Sequence, residues 1–224
     1  MLNKFEDRAA LMVGLAAQVA KDLRAALVQK ERVSIAVPGG TTPAPFFDIL
    51  CHEDLAWERV DVMLTDERFV PPTHARSNTA LINARLITNA ASSARVVPFY
   101  QAAERPEDVF TEISAGIDAA LPLDICVLGM GADMHTASLF PDSAELADAL
   151  ASDAPVHVVR PASQPEARLT LTGRVLSAAV HKYVLIAGPE KLQALEQAQK
   201  VRDVMVAPIR VVLADPKTQV FFAP

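Results

Sequence analysis

The chain is short of cysteine, of positive charge and of long apolar runs, and each shortage excludes something. Cys51 and Cys126 are its two cysteines in 224 residues. They lie far apart without C-x-x-C spacing, so no disulfide framework is expected; the pattern suits a reducing, cytoplasmic setting. Lys and Arg number 21 against 27 Asp and Glu, a net charge of −6, which argues against a nucleic-acid partner. An acidic chain still holds an anion where Arg, Lys and backbone N–H groups cluster locally. No stretch is apolar for long enough to span a bilayer, so no membrane partner is expected. Lys4, Glu6, Asp7 and Arg8 near the start, with no apolar core behind them, are unlike a signal peptide. His52, His74, His157 and His181 have no metal-ligand spacing with one another or with cysteine, so neither a metal nor a cofactor is expected. Ser138 lies in no G-x-S-x-G elbow. Repeats, low-complexity tracts and long linkers are missing too. Residues 1–224 are therefore expected to form one domain, and 51% hydrophobic composition is ample for its core.

What is present is a regular alternation of elements. Leu11, Leu15, Val19, Leu23 and Leu27 recur at every fourth position and predict a long opening helix, with Asn3 and Glu6 at capping-box spacing. Short apolar runs predict strands over 33–37, 60–64, 96–97, 125–128, 156–159, 183–187, 211–214 and 220–222. Residues 168–172 alternate with period two, as a half-buried strand does. Helices are expected after Pro43, Ser77, Pro106, Ser143, Gly173 and Gly188. Strands alternating with helices predict an α/β fold: a mostly parallel sheet with helices on both faces, a Rossmann-like three-layer sandwich.

Four polar segments interrupt this pattern. Gly39 and Gly40, between a strand and a helix, form either an ordinary turn or an anion cradle to which Thr41 and Thr42 add hydroxyl donors. They are not a P-loop, because no Lys-Ser/Thr follows at the required spacing. In Asp66-Glu67-Arg68, Arg68 is able to grip a phosphate by two N–H groups and Asp66 to accept from hydroxyls; the alternative is a solvated surface ion pair. Arg168 opens the alternating strand. Lys191 falls in the first turn of a helix, where it opposes the dipole unless an anion is near; either residue alone also reads as an ordinary surface charge. The apolar run 125–128 ends in Gly129-Met130-Gly131-Ala132-Asp133-Met134-His135. An imidazole titrates at about pH 6.5 when unperturbed, so His135 is a candidate general base that Asp133 tunes or orients, or else a cap for the next helix. The G-x-G lacks the third glycine of a dinucleotide site and lies far from the first βα turn. Cys126, inside the apolar run, reads as core rather than nucleophile.

Taken in order, Pro38-Gly39-Gly40-Thr41-Thr42-Pro43, Asp66-Glu67-Arg68 with Ser77-Asn78, Gly129 to Pro141, and Arg168-Leu169-Thr170 with Lys191 resemble the 6-phosphogluconolactonases. These belong to the glucosamine-6-phosphate isomerase/6-phosphogluconolactonase superfamily. The resemblance implies hydrolysis of 6-phospho-D-glucono-1,5-lactone, a small sugar-phosphate partner, by a monomer or weak homo-oligomer. It implies that Gly39, Gly40, Thr41, Arg68, Arg168 and Lys191 hold the phosphate, with Thr42 and Asn78 beside them. It makes His135 the general base, with Asp133 or Asp66 orienting it or the sugar hydroxyls. The family motif reads Asp-Gly-His where this chain has Met134; if φ must be positive there, methionine costs on the order of 1 kcal/mol or shifts the backbone. The sister deaminases carry an acid five residues after the histidine, where this chain has Phe140, which favours the lactonase branch. A sugar-phosphate-sensing domain keeps the phosphate site and dispenses with the base; it is the remaining alternative.

Overall fold

Apolar runs of five residues, too short for helices, become strands buried on both faces of a sheet. The computed structural model describes residues 1–224. Its strands are β1 (Leu2–Lys4), β2 (Val33–Val37), β3 (Val60–Leu64), β4 (Asp66–Arg68), β5 (Arg95–Val96), β6 (Ile125–Gly129), β7 (Val156–Val159), β8 (Arg168–Leu171), β9 (His181–Ala187) and β10 (Gln219–Ala223). Its helices are α1 (Arg8–Gln29), α2 (Ala44–Leu50), α3 (Asn78–Arg85), α4 (Phe110–Asp118), α5 (Leu146–Ala151), α6 (Gly173–Ala178), α7 (Pro189–Lys200) and α8 (Arg210–Leu213). The 7-stranded main sheet runs β1-β10-β9-β6-β2-β3-β5 with every pair parallel, and helices flank it. The α/β class read from the alternation is the one observed. β2 and β3 are buried along their whole length. The one charge in β3, Asp61, is neutralised by Arg32 and Arg95.

Strand order fixes where a ligand can sit. From β2 the chain builds one way through β3 and β5; from β6 it builds the other way through β9 and β10. The reversal between β2 and β6 opens a crevice at their carboxyl ends, the usual binding place in such sheets. The glycine turn follows β2 and the Asp133–His135 turn follows β6, so topology brings both to one crevice.

Several expectations are corrected. The Asp66-Glu67-Arg68 triplet does not merely end β3. It is β4, part of a separate 3-stranded antiparallel sheet, β4-β8-β7. With small sheet and core on its two sides, 168–171 is wholly rather than half buried. The opening helix is capped by Asp7, whose carboxylate accepts from the Ala10 N–H at 2.8 Å, and Asn3 instead lies in β1 beside β10. The stripe Leu11, Leu15, Val19, Leu23 and Leu27 is buried as expected. Residues 210–213 form a helical turn rather than a strand, and within it only Val212 is buried. No helix starts at His135; the chain turns through Thr136 and Leu139 and becomes helical only at Leu146. A single cluster of 60 buried residues includes Val156, Val159, Leu169 and Leu171, so the small sheet shares the main core.

Candidate active site

A cleft of about 280 Å³ lies at the crevice between β2 and β6. Gly39, Gly40 and Thr42 form one wall, and Asp66, Arg68, Asn78 and Arg168 line the side facing the small sheet. His135 and Lys191 complete it, from the β6 turn and the first turn of α7. Two residues singled out from sequence do not line the cleft: Thr41 is exposed beside it, and Asp133 lies behind His135. No group of three or more His, Cys, Asp or Glu side chains is placed to hold a metal ion.

The turn after β6 builds the acid–base pair. Gly131 N–H donates to the His135 carbonyl at 2.9 Å, and Met134 N–H to the Gly131 carbonyl at 3.1 Å, closing a tight loop. Asp133 Oδ1 then lies 2.5 Å from His135 Nδ1. Burial pushes the Asp133 carboxyl up, but the hydrogen bond and charge of His135 outweigh it and hold it below the usual carboxylate range. An ionised carboxylate only accepts, so Nδ1 carries the ring proton and Nε2 presents its lone pair. The ring stacks on Phe140, centroids 4.2 Å apart at 29°, which fixes its plane. A Cβ on Gly131 would overlap both Asp133 Oδ1 and His135 Nδ1, so only glycine leaves room for the pair.

Met134 does occupy the left-handed region, with φ 66°. Its half-buried side chain packs against the core, and its carbonyl accepts from Ile209 N–H at 3.1 Å. Burying much of a methionine contributes about 1–2 kcal/mol, enough to offset a backbone cost of about 1 kcal/mol. Met134→Ala keeps the backbone cost and loses the packing; Met134→Gly removes both. Urea unfolding should therefore rank Met134→Ala below Met134→Gly, by roughly 1 kcal/mol. The reverse order would show that left-handed strain is not what the methionine offsets.

The cation side comes from β4 and β8. Their antiparallel register sets Arg68 directly opposite Arg168, a like-charge pairing that is unfavourable unless something balances it. Arg68 Nη1 donates to Asn78 Oδ1 at 2.6 Å and to the Arg76 carbonyl at 2.8 Å, and Arg168 Nη2 donates to Gln164 Oε1 at 2.6 Å. Both Nε atoms are buried without a partner. Burial pushes the Arg168 guanidinium pKa down, Asp66 pulls it back up, and Arg68 pushes it down again. Asp66 pairs with Arg168 only, and the guanidinium of Arg68 has no carboxylate partner, so an anion at the cleft would supply the missing counter-charge.

Asp66 and Asp133, interchangeable by sequence, are separated by their contacts. Asp66 Oδ2 accepts from Ser138 Oγ at 2.5 Å and lies 3.5 Å from Arg168 Nη1. It belongs to the arginine side, not to His135. Ser138, Gln164 and Thr170, whose hydroxyl accepts from Ser138 N–H at 3.2 Å, were not marked by sequence. Ser138 and Thr170 act through the pairing of β4 with β8, which no local signal gives, whereas Gln164 meets Arg168 four residues along its own segment. Phe140 bridges the two halves, with the Arg168 guanidinium 5.5 Å from the ring on which His135 stacks. The arrangement offers a free imidazole nitrogen at one end and a fork of cations at the other.

The sequence matches the family described as glucosamine-6-phosphate isomerases/6-phosphogluconolactonase over residues 6–222. It is 46% identical to a 6-phosphogluconolactonase of Mesorhizobium japonicum, covering 99% of this chain and 94% of that one. It is 42% identical to one of Rhizobium meliloti, covering 100% and 98%. Its fold superposes with a TM-score of 0.95 on the crystal structure of a 6-phosphogluconolactonase from Shewanella baltica, at 33% identity over 100% of this chain and 96% of that one.

Proposed function

Because the chain belongs to the glucosamine-6-phosphate isomerase/6-phosphogluconolactonase family, we propose that it hydrolyses 6-phospho-D-glucono-1,5-lactone to 6-phosphogluconate, with His135 as general base. The observation that carries this reading is one cleft holding an Asp133-oriented imidazole and two facing arginines. The main chain at Gly39 and Gly40 and the Thr42 hydroxyl, with Arg68, Asn78, Arg168 and Lys191, hold the phosphate. Binding energy gained there positions a carbonyl that carries no charge of its own. His135 Nε2 takes a proton from water, and the water oxygen bonds to the lactone carbonyl carbon. The carbonyl becomes a tetrahedral oxyanion. As it collapses, the bond from carbon to ring oxygen breaks and the imidazolium returns the proton to that oxygen, leaving an open-chain acid. Asp133 stabilises the imidazolium between the two transfers, while Asp66 and Ser138 hold Arg168 in place.

Phe140 supports the lactonase over the deaminase reading. The place where the sister branch carries an acid is filled by a ring packed between His135 and Arg168. The deciding experiment makes the lactone in situ and follows its disappearance with and without the protein, since the lactone also opens unaided. Turnover of glucosamine 6-phosphate instead would assign the deaminase, and binding of sugar phosphate without turnover of either would assign a sensor.

Two glycines separate binding from chemistry. A Cβ on Gly39 would overlap the Asn78 amide, whereas one on Gly131 would strike Asp133 and His135. Gly39→Ala should raise KM by about tenfold or more at little changed kcat, and Gly131→Ala should lower kcat by about tenfold or more. Gly129→Ala, whose Cβ meets nothing within 4 Å, is the control. Steady-state kinetics that gave Gly39→Ala and Gly131→Ala the same profile would refute this division.

A further inference from the structure

Glu67 has no part in the mechanism above, yet it is fully buried beside the cleft. Its carboxylate accepts five hydrogen bonds. Oε1 takes the N–H groups of Arg68 and Asn78, each at 2.8 Å. Oε2 takes Thr79 N–H at 2.6 Å, Thr79 Oγ1 at 2.9 Å and Ser77 Oγ at 3.0 Å. Every donor is a main-chain N–H or a hydroxyl, and none is a basic side chain. This is the donor set of an anion site at a helix N-terminus, filled by the protein's own carboxylate.

The residues that Glu67 holds are those that shape the phosphate side of the cleft. Asn78, the first residue of α3, is fixed by its N–H to Glu67. Its side chain then reaches two segments, β4 and the glycine turn. Nδ2 donates to the Asp66 carbonyl at 3.0 Å, Oδ1 accepts from Arg68 Nη1 at 2.6 Å, and the amide packs where a Cβ on Gly39 would be. Between Arg68 and Asn78 the chain wanders through the 69–77 loop, which contains Pro71 and Pro72 and is largely exposed. Glu67 closes that loop at its base. Without the carboxylate, the separation of Asn78 from Arg68 would depend on the loop alone.

We propose that Glu67 is a positioning residue for the phosphate pocket, an internal carboxylate that occupies the N-terminus of α3 and holds Asn78 and Arg68 ready for the ligand's phosphate. The substrate's phosphate is thereby kept off α3 and directed to the glycine turn and the arginine pair. The proposal rests on the reading of a phosphorylated lactone as substrate, and the tests below keep the two apart.

Glu67→Gln keeps the shape but turns one acceptor oxygen into an NH2 that faces N–H donors. Its KM for the phosphorylated lactone should rise about tenfold or more, with kcat within about threefold of the parent. Inhibition by inorganic phosphate should weaken by the same factor. Hydrolysis of unphosphorylated glucono-1,5-lactone should be the same in both proteins. In an Asn78→Ala background, Glu67→Gln should add less than about twofold to KM, because the two act through one contact. Equal losses on both lactones, a fall in kcat at constant KM, or multiplicative effects in the double variant would each overturn the proposal. Should Glu67→Gln not fold, Thr79→Val removes a single hydroxyl donor from the same carboxylate. It should raise KM and the phosphate inhibition constant together by about threefold, and unchanged values would count against Glu67. Calorimetric titration of wild type and variant with inorganic phosphate is independent of turnover. Weaker binding by the variant sustains the assignment even if the wild type hydrolyses neither lactone, and equal binding ends it.

Discussion

His135→Ala should lower kcat by about a hundredfold to ten-thousandfold while KM for the phosphorylated lactone stays within a few-fold. The split follows from the layout of the cleft. The imidazole is held on one side by Asp133 and Phe140, and the cations proposed to bind phosphate belong to β4, β8 and α7. Removing the ring leaves Arg168 paired with Asp66 and hydrogen-bonded to Gln164. Ground-state binding should therefore survive the loss of the base. Asp133→Ala should lower kcat by less, since Nε2 persists but the tautomer and ring plane are no longer set by the carboxylate. The double variant should be no worse than His135→Ala alone, because a group that only orients the imidazole has nothing left to orient. Progress curves corrected for spontaneous opening of the lactone measure all three. Wild-type kcat in His135→Ala would remove the histidine from the reaction.

The candidate base and its partner were legible in the sequence because their contact is local. Asp133 and His135 are two residues apart, and the turn that joins them is written in Gly129 and Gly131. Met134 was legible as a question: a methionine where glycine is usual asks whether φ is positive there, and φ is 66°. β2, β3 and β6 were legible because unbroken apolar runs have few other fates. β4 was not, since Asp66-Glu67-Arg68 is short and wholly charged and lies in a strand only because β8 pairs with it. With β4 hidden, everything that depends on it was hidden too. Ser138 reaches Asp66 across 72 positions of sequence, and Glu67 meets its α3 donors only once β4 lies under that helix. The facing of Arg68 and Arg168 is likewise a matter of register, which periodicity alone does not give. The missed cap at Asp7 is a smaller case of the same kind, in which the pairing of β1 with β10 draws Asn3 away from the helix start.

Arg168→Ala should raise KM by about a hundredfold and remove most of the protection that a phosphorylated ligand gives against heat. In the free protein Arg168 pairs with Asp66, while the facing Arg68 has no ion-pair partner. Burial opposes the charge on Arg168 most, Asp66 favours it, and the opposing effects of Arg68 and Arg76 are set against the smaller support of Glu166. A dianion entering the cleft reverses that imbalance, so ligand binding and folding are coupled. At a ligand concentration a hundred times Kd the wild type should gain about 2.7 kcal/mol of stability, read as a rise in Tm. If Arg168→Ala weakens binding a hundredfold, the same concentration yields only about 0.4 kcal/mol. The substitution also changes the unliganded protein, in two opposing ways. Asp66 loses its cation, and breaking a buried pair commonly costs about 3–5 kcal/mol. Here the carboxylate keeps the hydroxyls of Ser138 and Thr65, and Arg68 is freed from the charge opposite it. The net loss should therefore be smaller, about 1–3 kcal/mol, and the variant should remain folded. Thermal melts with and without 6-phosphogluconate separate the two effects: the loss shows in the absence of ligand, and the coupling in the difference. An Arg168→Ala protein that still gained the full wild-type shift would mean that the phosphate lies elsewhere, and that the facing arginines are balanced by something other than substrate.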